Sequence, residues 1–478
     1  MYSQLPLGSA LQFGGDEDYE LMPSFLMSRG FKLYQDIWSD QPPVLFMLLG
    51  SAFKVWGPSI LVGRLIAAGF GLLLFATFYQ LVYLRVGYRA AFFVVFFLLA
   101  SPGILQISVS VMQEVPAFGT ALASARLLFQ WRKHHHWVWL LASGAIMGIA
   151  LGIKLTAIIV APAMIIEIAL AWQIDGRNPW LKPALVTTAK WAAAIGTVFG
   201  LACLIWGRGS VASSWKAHFA ETSVYGLQSP GDFHMPSSVF FDHAECVGAA
   251  IVGLIFVART RQWREFAFPV TLICTAFAIH LVHRPWWMYY YLHLAIPMSW
   301  LAGFAVSEAI AKVPEPFTKG QFNWSSQRTW QAMGLCALIA ITLVRSEGRF
   351  EGGLKDLRQR ERIDRSAIIA KMEVYAAHTH WVYAPSSKEA YPFSVQLPMP
   401  PELAVVTLKR FWSDQITTKE IVDTCRRYQV EQLMLNAGKH EEDWNDYLKD
   451  YNIMYSDTNF VIYISKRLTT APATATPF

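Results

Sequence analysis

The chain has 478 residues, of which 54% are hydrophobic, 14% aromatic and only 15% charged, with a mean hydropathy of +0.32 and a formal net charge of +6. So apolar a composition excludes an ordinary soluble enzyme and makes this a polytopic membrane protein. The basic residues lie in short clusters between apolar runs rather than in one stripe, which argues against a nucleic-acid partner, and the five cysteines show neither redox nor zinc spacing.

In chain order, the opening MYSQLPLGSALQFGG is too short to cross a bilayer and leads into an acidic segment, GGDEDYELMPSFLMSRGFKLYQDIWSDQPPVLF. From Gln41 to Trp56 the chain is apolar but too short and Pro-rich to span, which predicts a helix lying in the interface before the chain turns inward near Pro58. A membrane helix needs about 20 apolar residues to cross a core of roughly 30 Å. Ten stretches are candidate spans, several of them shorter than that: Ser59 to Leu84, Ala90 to Ile107, Pro116 to Trp131, Trp137 to Ile153, Leu155 to Trp172, Leu185 to Trp206, Ala244 to Ala258, Phe266 to His283, Tyr289 to Ile310 and Trp330 to Val344.

Short cytoplasmic loops carry an excess of Lys and Arg. Arg85 with Arg89, Arg132 with Lys133, Arg177 with Lys182, Arg259 with Arg261 and Arg264, and Lys312 with Lys319 and Arg328 fall on every second connection. Those connections are then cytoplasmic, and both termini lie outside. Beyond the last span the composition turns charged and mixed. HWVYAP, ELAVVT, EQLMLN and NFVIYISK read as strands, and Thr418 to Tyr428 and Glu441 to Tyr451 as helices. The expected organisation is mainly α: an extracytoplasmic loop region over 1–58, a transmembrane helical bundle over 59–345, a small soluble α/β domain over 346–467 and a disordered tail over 468–478.

This topology brings Asp16, Glu17, Asp36, Asp40, Glu114, Lys154, His283, Arg284 and His293 to the extracytoplasmic ends of spans, with Arg64 about two turns below that face. Charge at membrane depth is costly and serves a cavity or a partner, so one outward-facing polar site is expected. Each residue also has a plainer reading. Asp16 and Glu17 alone read as a solvated acidic loop, Glu114 as a helix-end cap, Lys154 as a snorkelling lysine, and the aromatics of HRPWWMYYYLHLAIP as interfacial anchors.

The order of the loop residues favours a site. The acidic pair Asp16-Glu17, then Gly30, Tyr34 and Asp36, then Asp40-Gln41-Pro42-Pro43, resembles the first extracytoplasmic loop of the glycosyltransferase C superfamily, in its family 39-like branch of protein O-mannosyltransferases and bacterial lipid A aminoarabinose transferases. The resemblance implies an inverting transferase that takes a sugar from a polyprenyl-phosphate donor, with Asp16 as the catalytic base and Glu17 orienting it. It also implies Glu114 and Asp40 orienting the acceptor or the loop, and Lys154, in GIALGIKLTAII, contacting the donor phosphate. Arg284 offers that phosphate a forked, permanently charged donor, and Arg64 and Gln41 complete the candidate donor set.

Two departures stand out. The aminoarabinose transferases have a Lys before Pro-Pro where this chain has Gln41, and the first membrane helix usual in the family is missing, which leads to the expectation of an upstream span in the natural reading frame. No cofactor or metal is called for. The partners expected are the lipid bilayer, the lipid-linked donor and a glycolipid, polysaccharide or protein acceptor, in a bacterial inner membrane with the site facing the periplasm or exterior. A transporter or flippase of lipid-linked sugars would share these partners but should show paired half-repeats, and a purely structural subunit leaves the acidic loop unexplained.

Overall fold

The computed structural model describes residues 5–174, 180–206, 234–312, 327–438 and 442–470. Arg177, Lys319 and most of the expected tail, 471–478, lie outside the described residues.

The apolar runs form a helical bundle. Among the described residues four helices are long and apolar enough to cross a membrane, Ile60–Val86, Leu155–Gln173, Leu181–Ile205 and Met288–Ala311, and Val44–Trp56, Tyr88–Ala100, Trp137–Ile153 and Ala267–Val282 are shorter apolar helices. Burial sorts them into layers. The apolar window of Met288–Ala311 is 78% buried, which makes it a central helix, whereas that of Leu181–Ile205 is only 17% buried. Leu204, Ile205, Leu72 and Val282 are exposed, an apolar surface suited to lipid rather than water.

Small residues set the closest approaches. A Cβ on Gly253 would stand 2.2 Å from the Leu301 carbonyl oxygen, so the helices Ala244–Thr260 and Tyr291–Lys312 meet only because that position lacks a side chain. Between Ile60–Val86 and Tyr88–Ala100 the chain reverses at Gly87 alone, at φ 89°, a conformation costly for any residue with a side chain.

The two ends of the bundle differ in chemistry. At one end Glu167 accepts hydrogen bonds from Arg85, at 2.6 Å, and from Arg132, tying three helices together. Arg132 closes the helix that Glu114 opens. At about 1.5 Å per residue the two ends are roughly 27 Å apart, a bilayer core's thickness. The Glu114 end carries the first loop and the C-terminal domain.

The loop forms two helices, Asp18–Ser28 and Val44–Trp56, packed on each other. The second ends with Val55 and Trp56 exposed before Gly57, as suits a helix lying in an interface. The N-terminal segment is stitched to the start of the C-terminal domain: Leu11 N–H donates to the Glu361 carbonyl at 2.7 Å and Ile363 N–H to the Ser9 carbonyl at 2.8 Å.

The helix expected over Trp330 to Val344 spans Gln327–Arg358, so it projects beyond the bundle into the domain. There a four-stranded sheet has the order β1-β2-β4-β3, with β1 (Val382–Tyr383) parallel to β2 (Gln432–Asn436) and β4 (Phe460–Ser465) antiparallel to both β2 and β3 (Tyr451–Ser456). Helix Thr418–Arg427 starts at a capping box between Thr417 and Glu420.

Two local expectations are corrected. ELAVVT is not a strand: Arg410 donates to the carbonyls of Glu402, at 2.9 Å, and Val405, at 2.7 Å, taking the acceptors a sheet neighbour would need. The helix expected to reach Tyr451 stops at Tyr447, followed by a short turn, and Tyr451 begins the edge strand β3. Its residues are mostly exposed or half-buried, so it lacks the apolar alternation that marks a half-buried strand.

Candidate active site

A cavity of about 170 Å³ lies where the loop, the bundle and the C-terminal domain meet. The loop contributes Asp16, Tyr19, Glu20, Ser39, Asp40 and Gln41; the bundle contributes Gln113, Glu114, Lys154, Trp287 and Tyr289; the domain contributes Ser386, Ser387, Thr407 and Lys409. A space this small holds a head group, not a whole lipid-linked molecule.

Helix geometry explains two of these positions. Glu114 is the first residue of Glu114–His134, where the helix dipole favours a carboxylate, and Lys154 follows the last residue of Trp137–Ile153, where it favours a cation. The two form a buried ion pair, and the Lys154 ammonium also lies 4.9 Å from the centre of the Tyr289 ring.

Asp16 precedes the first loop helix and is only half-buried, open to the cavity. Loss of solvent raises its pKa above the ordinary carboxylate value, and the negative charge of Glu114 adds to this. Lys154, a hydrogen bond with Tyr289 and Lys409 pull the other way without cancelling the effect. Glu20 behaves similarly: burial pushes its pKa well up although Gln113 donates to it at 3.1 Å.

Asp40 has a different setting. Its Oδ1 accepts from the Gln41 amide at 3.0 Å and its Oδ2 from Lys409 Nζ at 3.3 Å. Across the cavity the Tyr19 hydroxyl bonds Ser386 and Ser387 of the domain at 2.5 and 3.1 Å.

Of the residues singled out in the sequence, the fold therefore brings Asp16, Asp40, Gln41, Glu114 and Lys154 together around one cavity. It does not bring Glu17, Arg64 or Arg284 there. Glu17 and Arg64 are both fully buried and face each other, Arg64 Nε to Glu17 Oε1 and Nη2 to Oε2, each at 2.8 Å. The remaining guanidinium donors go to the carbonyls of Leu7, Ala10 and Leu11 at 2.9, 2.7 and 3.3 Å, and the group lies 4.1 Å over the Phe13 ring. Glu17 also accepts from the backbone N–H groups of Phe13, at 2.9 Å, and Val111, at 3.1 Å. With five donors so directed, Arg64 has none for a phosphate; the pair fastens the N-terminal segment to the bundle. Arg284 is exposed and does not line the cavity, although Trp287 and Tyr289 just after it do.

Lys409, Glu20, Gln113, Tyr289 and the two serines were not legible as site residues. Nothing in the spacing of a generic soluble domain marks Lys409, which is 369 positions from its partner Asp40.

Residues 40–206 match the family model of dolichyl-phosphate-mannose-protein mannosyltransferases. Among solved structures the chain is similar to ArnT from Cupriavidus metallidurans bound to undecaprenyl phosphate, at 14% identity, TM-score 0.58, covering 97% of this chain and 95% of that one. The fold is that of the glycosyltransferase C superfamily. It is likewise similar to the Archaeoglobus fulgidus oligosaccharyltransferase in its apo form, at 13% identity and TM-score 0.56 over 89% of this chain and 66% of that one. The same holds for the A. fulgidus enzyme AglB in complex with an inhibitory peptide and a dolichol-phosphate, at 13% identity and TM-score 0.54 over 97% and 71%. The family match covers residues 40–206, and the likeness to ArnT over the rest of the chain is one of fold. No curated protein matches it in sequence.

Proposed function

We propose that this protein is an integral-membrane inverting glycosyltransferase that moves a sugar from a polyprenyl-phosphate donor to an extracytoplasmic acceptor. The observation that supports it most is the position of Asp16, a half-buried carboxylate with a raised pKa that shares with Lys154 and Lys409 a cavity on the loop side of the bundle. The similar structures agree with a lipid-phosphate ligand: one ArnT structure holds undecaprenyl phosphate and one AglB structure a dolichol-phosphate.

The chemistry needs a base on one side of the anomeric carbon and a leaving phosphate on the other. The acceptor O–H or N–H loses its proton to Asp16 as its heteroatom bonds to the anomeric carbon. The bond from that carbon to the phosphate oxygen breaks, and its electron pair leaves with the lipid phosphate. Configuration inverts, and no covalent enzyme intermediate forms. A raised pKa suits Asp16 to this work, since a base is most effective near the operating pH.

The other carboxylates of the cavity are less suited. Glu114 is paired with Lys154, Asp40 with Lys409 and Gln41, and Glu20 is buried against Gln113. Lys154 meets the developing phosphate charge, with the Gln41 amide as a neutral donor beside it. Glu17 and Arg64 brace the loop that holds Asp16. The lipid chain lies outside the small cavity, along the apolar flank of the bundle, and the acceptor enters from the exterior or periplasmic side of a bacterial inner membrane.

Comparing lipid-linked sugars and envelope glycans by mass spectrometry, with and without the gene, tests this reading. One polyprenyl-phosphate sugar should accumulate and one glycan should disappear; unchanged pools of both would refute it.

A further inference from the structure

The C-terminal domain sends a single lysine into the cavity. Lys409 lies on the short helix Leu408–Trp412, and its ammonium is 3.3 Å from Asp40 Oδ2 of the first loop. The segment carrying it is fixed from several directions. Its neighbour Arg410 holds the carbonyls of Glu402 and Val405 and lies 4.9 Å over the ring of Trp38, also in the first loop. Tyr19 bonds Ser386 and Ser387, Arg29 donates to the Gln396 carbonyl at 3.2 Å, and Phe393 packs on Phe25 and Phe53 at 5.7 and 5.6 Å between ring centres. Lys409 is therefore placed by a docked surface, not by the chance position of a flexible side chain.

Its charge state is also set. Burial alone would lower its pKa, but the attraction of Asp40 more than offsets this, and the group stays a cation. Lys154 is near enough to oppose that charge, so the cavity holds two ammonium groups that repel each other. Each ammonium is paired with a carboxylate, Lys154 with Glu114 and Lys409 with Asp40, and an anion between the two cations would offset the repulsion that remains.

Resting on the reading above, we propose that Lys409 is the second cation of the donor-phosphate subsite, so that the soluble domain completes the binding site. An ammonium has three donors, and Lys409 can keep Asp40 while offering another hydrogen to a phosphate oxygen. The position next to Asp40 is occupied by Gln41, which brings no charge; Lys409, bound to the same carboxylate that holds the Gln41 amide, supplies it from the other domain. Asp40 then restrains Lys409 and, by its own charge, weakens the attraction for phosphate.

That arrangement predicts opposite signs for two substitutions, which a simple salt bridge between domains would not. Undecaprenyl phosphate binding is measured on the full-length protein in nanodiscs, alongside thermal unfolding. Lys409→Gln should bind roughly 10- to 100-fold more weakly, as expected for loss of a charged hydrogen bond, with Lys409→Arg recovering part of the loss. Asp40→Asn should bind as tightly as wild type or more tightly. Inorganic phosphate, measured in parallel, should fail to displace the lipid at equal concentration. Binding of Lys409→Gln within twofold of wild type, or equal weakening by Lys409→Gln and Asp40→Asn, would overturn the inference while leaving the transferase reading intact; a wild-type protein that does not bind undecaprenyl phosphate would overturn both.

Discussion

Replacing Glu17 by Ala should unfold the loop before it affects chemistry. The substitution leaves Arg64 Nε and Nη2, and the N–H groups of Phe13 and Val111, without their acceptor in a site where both side chains are fully buried. Breaking a buried pair by removing one partner typically costs about 3–5 kcal/mol, because the remaining charge is uncompensated. Set against total stabilities of about 5–15 kcal/mol, that is a large fraction. Thermal unfolding of the purified protein should therefore show a midpoint lowered by several degrees for Glu17→Ala and comparably for Arg64→Ala. The double variant Glu17→Leu/Arg64→Met should be less destabilised than the sum of the single variants, since each single change already disrupts the same pair. Whatever activity survives should track the folded fraction. A Glu17→Ala protein with an unchanged midpoint and abolished transfer would refute this reasoning and return Glu17 to a catalytic role.

Further predictions concern the cation set and pH. Lys154→Gln, which can still bond Glu114, should weaken donor use by about tenfold or more, whereas Arg284→Ala should leave it within about threefold; apparent donor affinities for the two variants in one transfer assay would decide, and the reverse ranking would move the phosphate site to Arg284. Burial, assisted by the charge of Glu17, pushes the Asp18 carboxyl up to about 8, and burial together with Asp18 pushes Glu389, across the domain contact, well above its ordinary value. A carboxyl with a raised folded-state pKa contributes stability that is fully present below its unfolded value and lost as pH rises through the folded one. The unfolding midpoint should fall between about pH 4 and pH 8, and Asp18→Asn should flatten that fall; parallel pH profiles for the two proteins would count against the buried carboxyl pair.

How far the sequence revealed the molecule differs from feature to feature. Apolar runs of bilayer length and the alternation of basic clusters made the helical bundle legible, because lipid imposes length and composition on any helix that crosses it. The loop was legible through the order of its acidic, Gly, Tyr and Pro-Pro residues, and five of the residues singled out meet in one cavity. The exchange of Glu17 for a structural role was hidden by adjacency: Asp16 lines the cavity while Glu17 beside it turns to Arg64, and the pair's sequence alone does not distinguish them. A buried Arg within the first long helix was the available signal that an acidic residue had to turn inward to meet it. Lys409 had no such signal, since only the docking of the C-terminal domain brings it to Asp40. ELAVVT was misread because its periodicity is that of a buried strand, whereas Arg410 takes its carbonyls.

The central claim is that Asp16 takes the acceptor's proton, and the turnover of Asp16→Asn measures it most directly. Asn keeps the size of the side chain and one acceptor oxygen but cannot take up a proton, so the variant should unfold at the wild-type temperature and bind undecaprenyl phosphate. It should transfer sugar about 10² to 10⁴ times more slowly. The wild-type rate should rise with pH through a value above the ordinary carboxylate range, as the raised pKa of Asp16 requires, and that rise should be absent in the variant. Near-normal turnover by a folded, donor-binding Asp16→Asn protein would contradict the account.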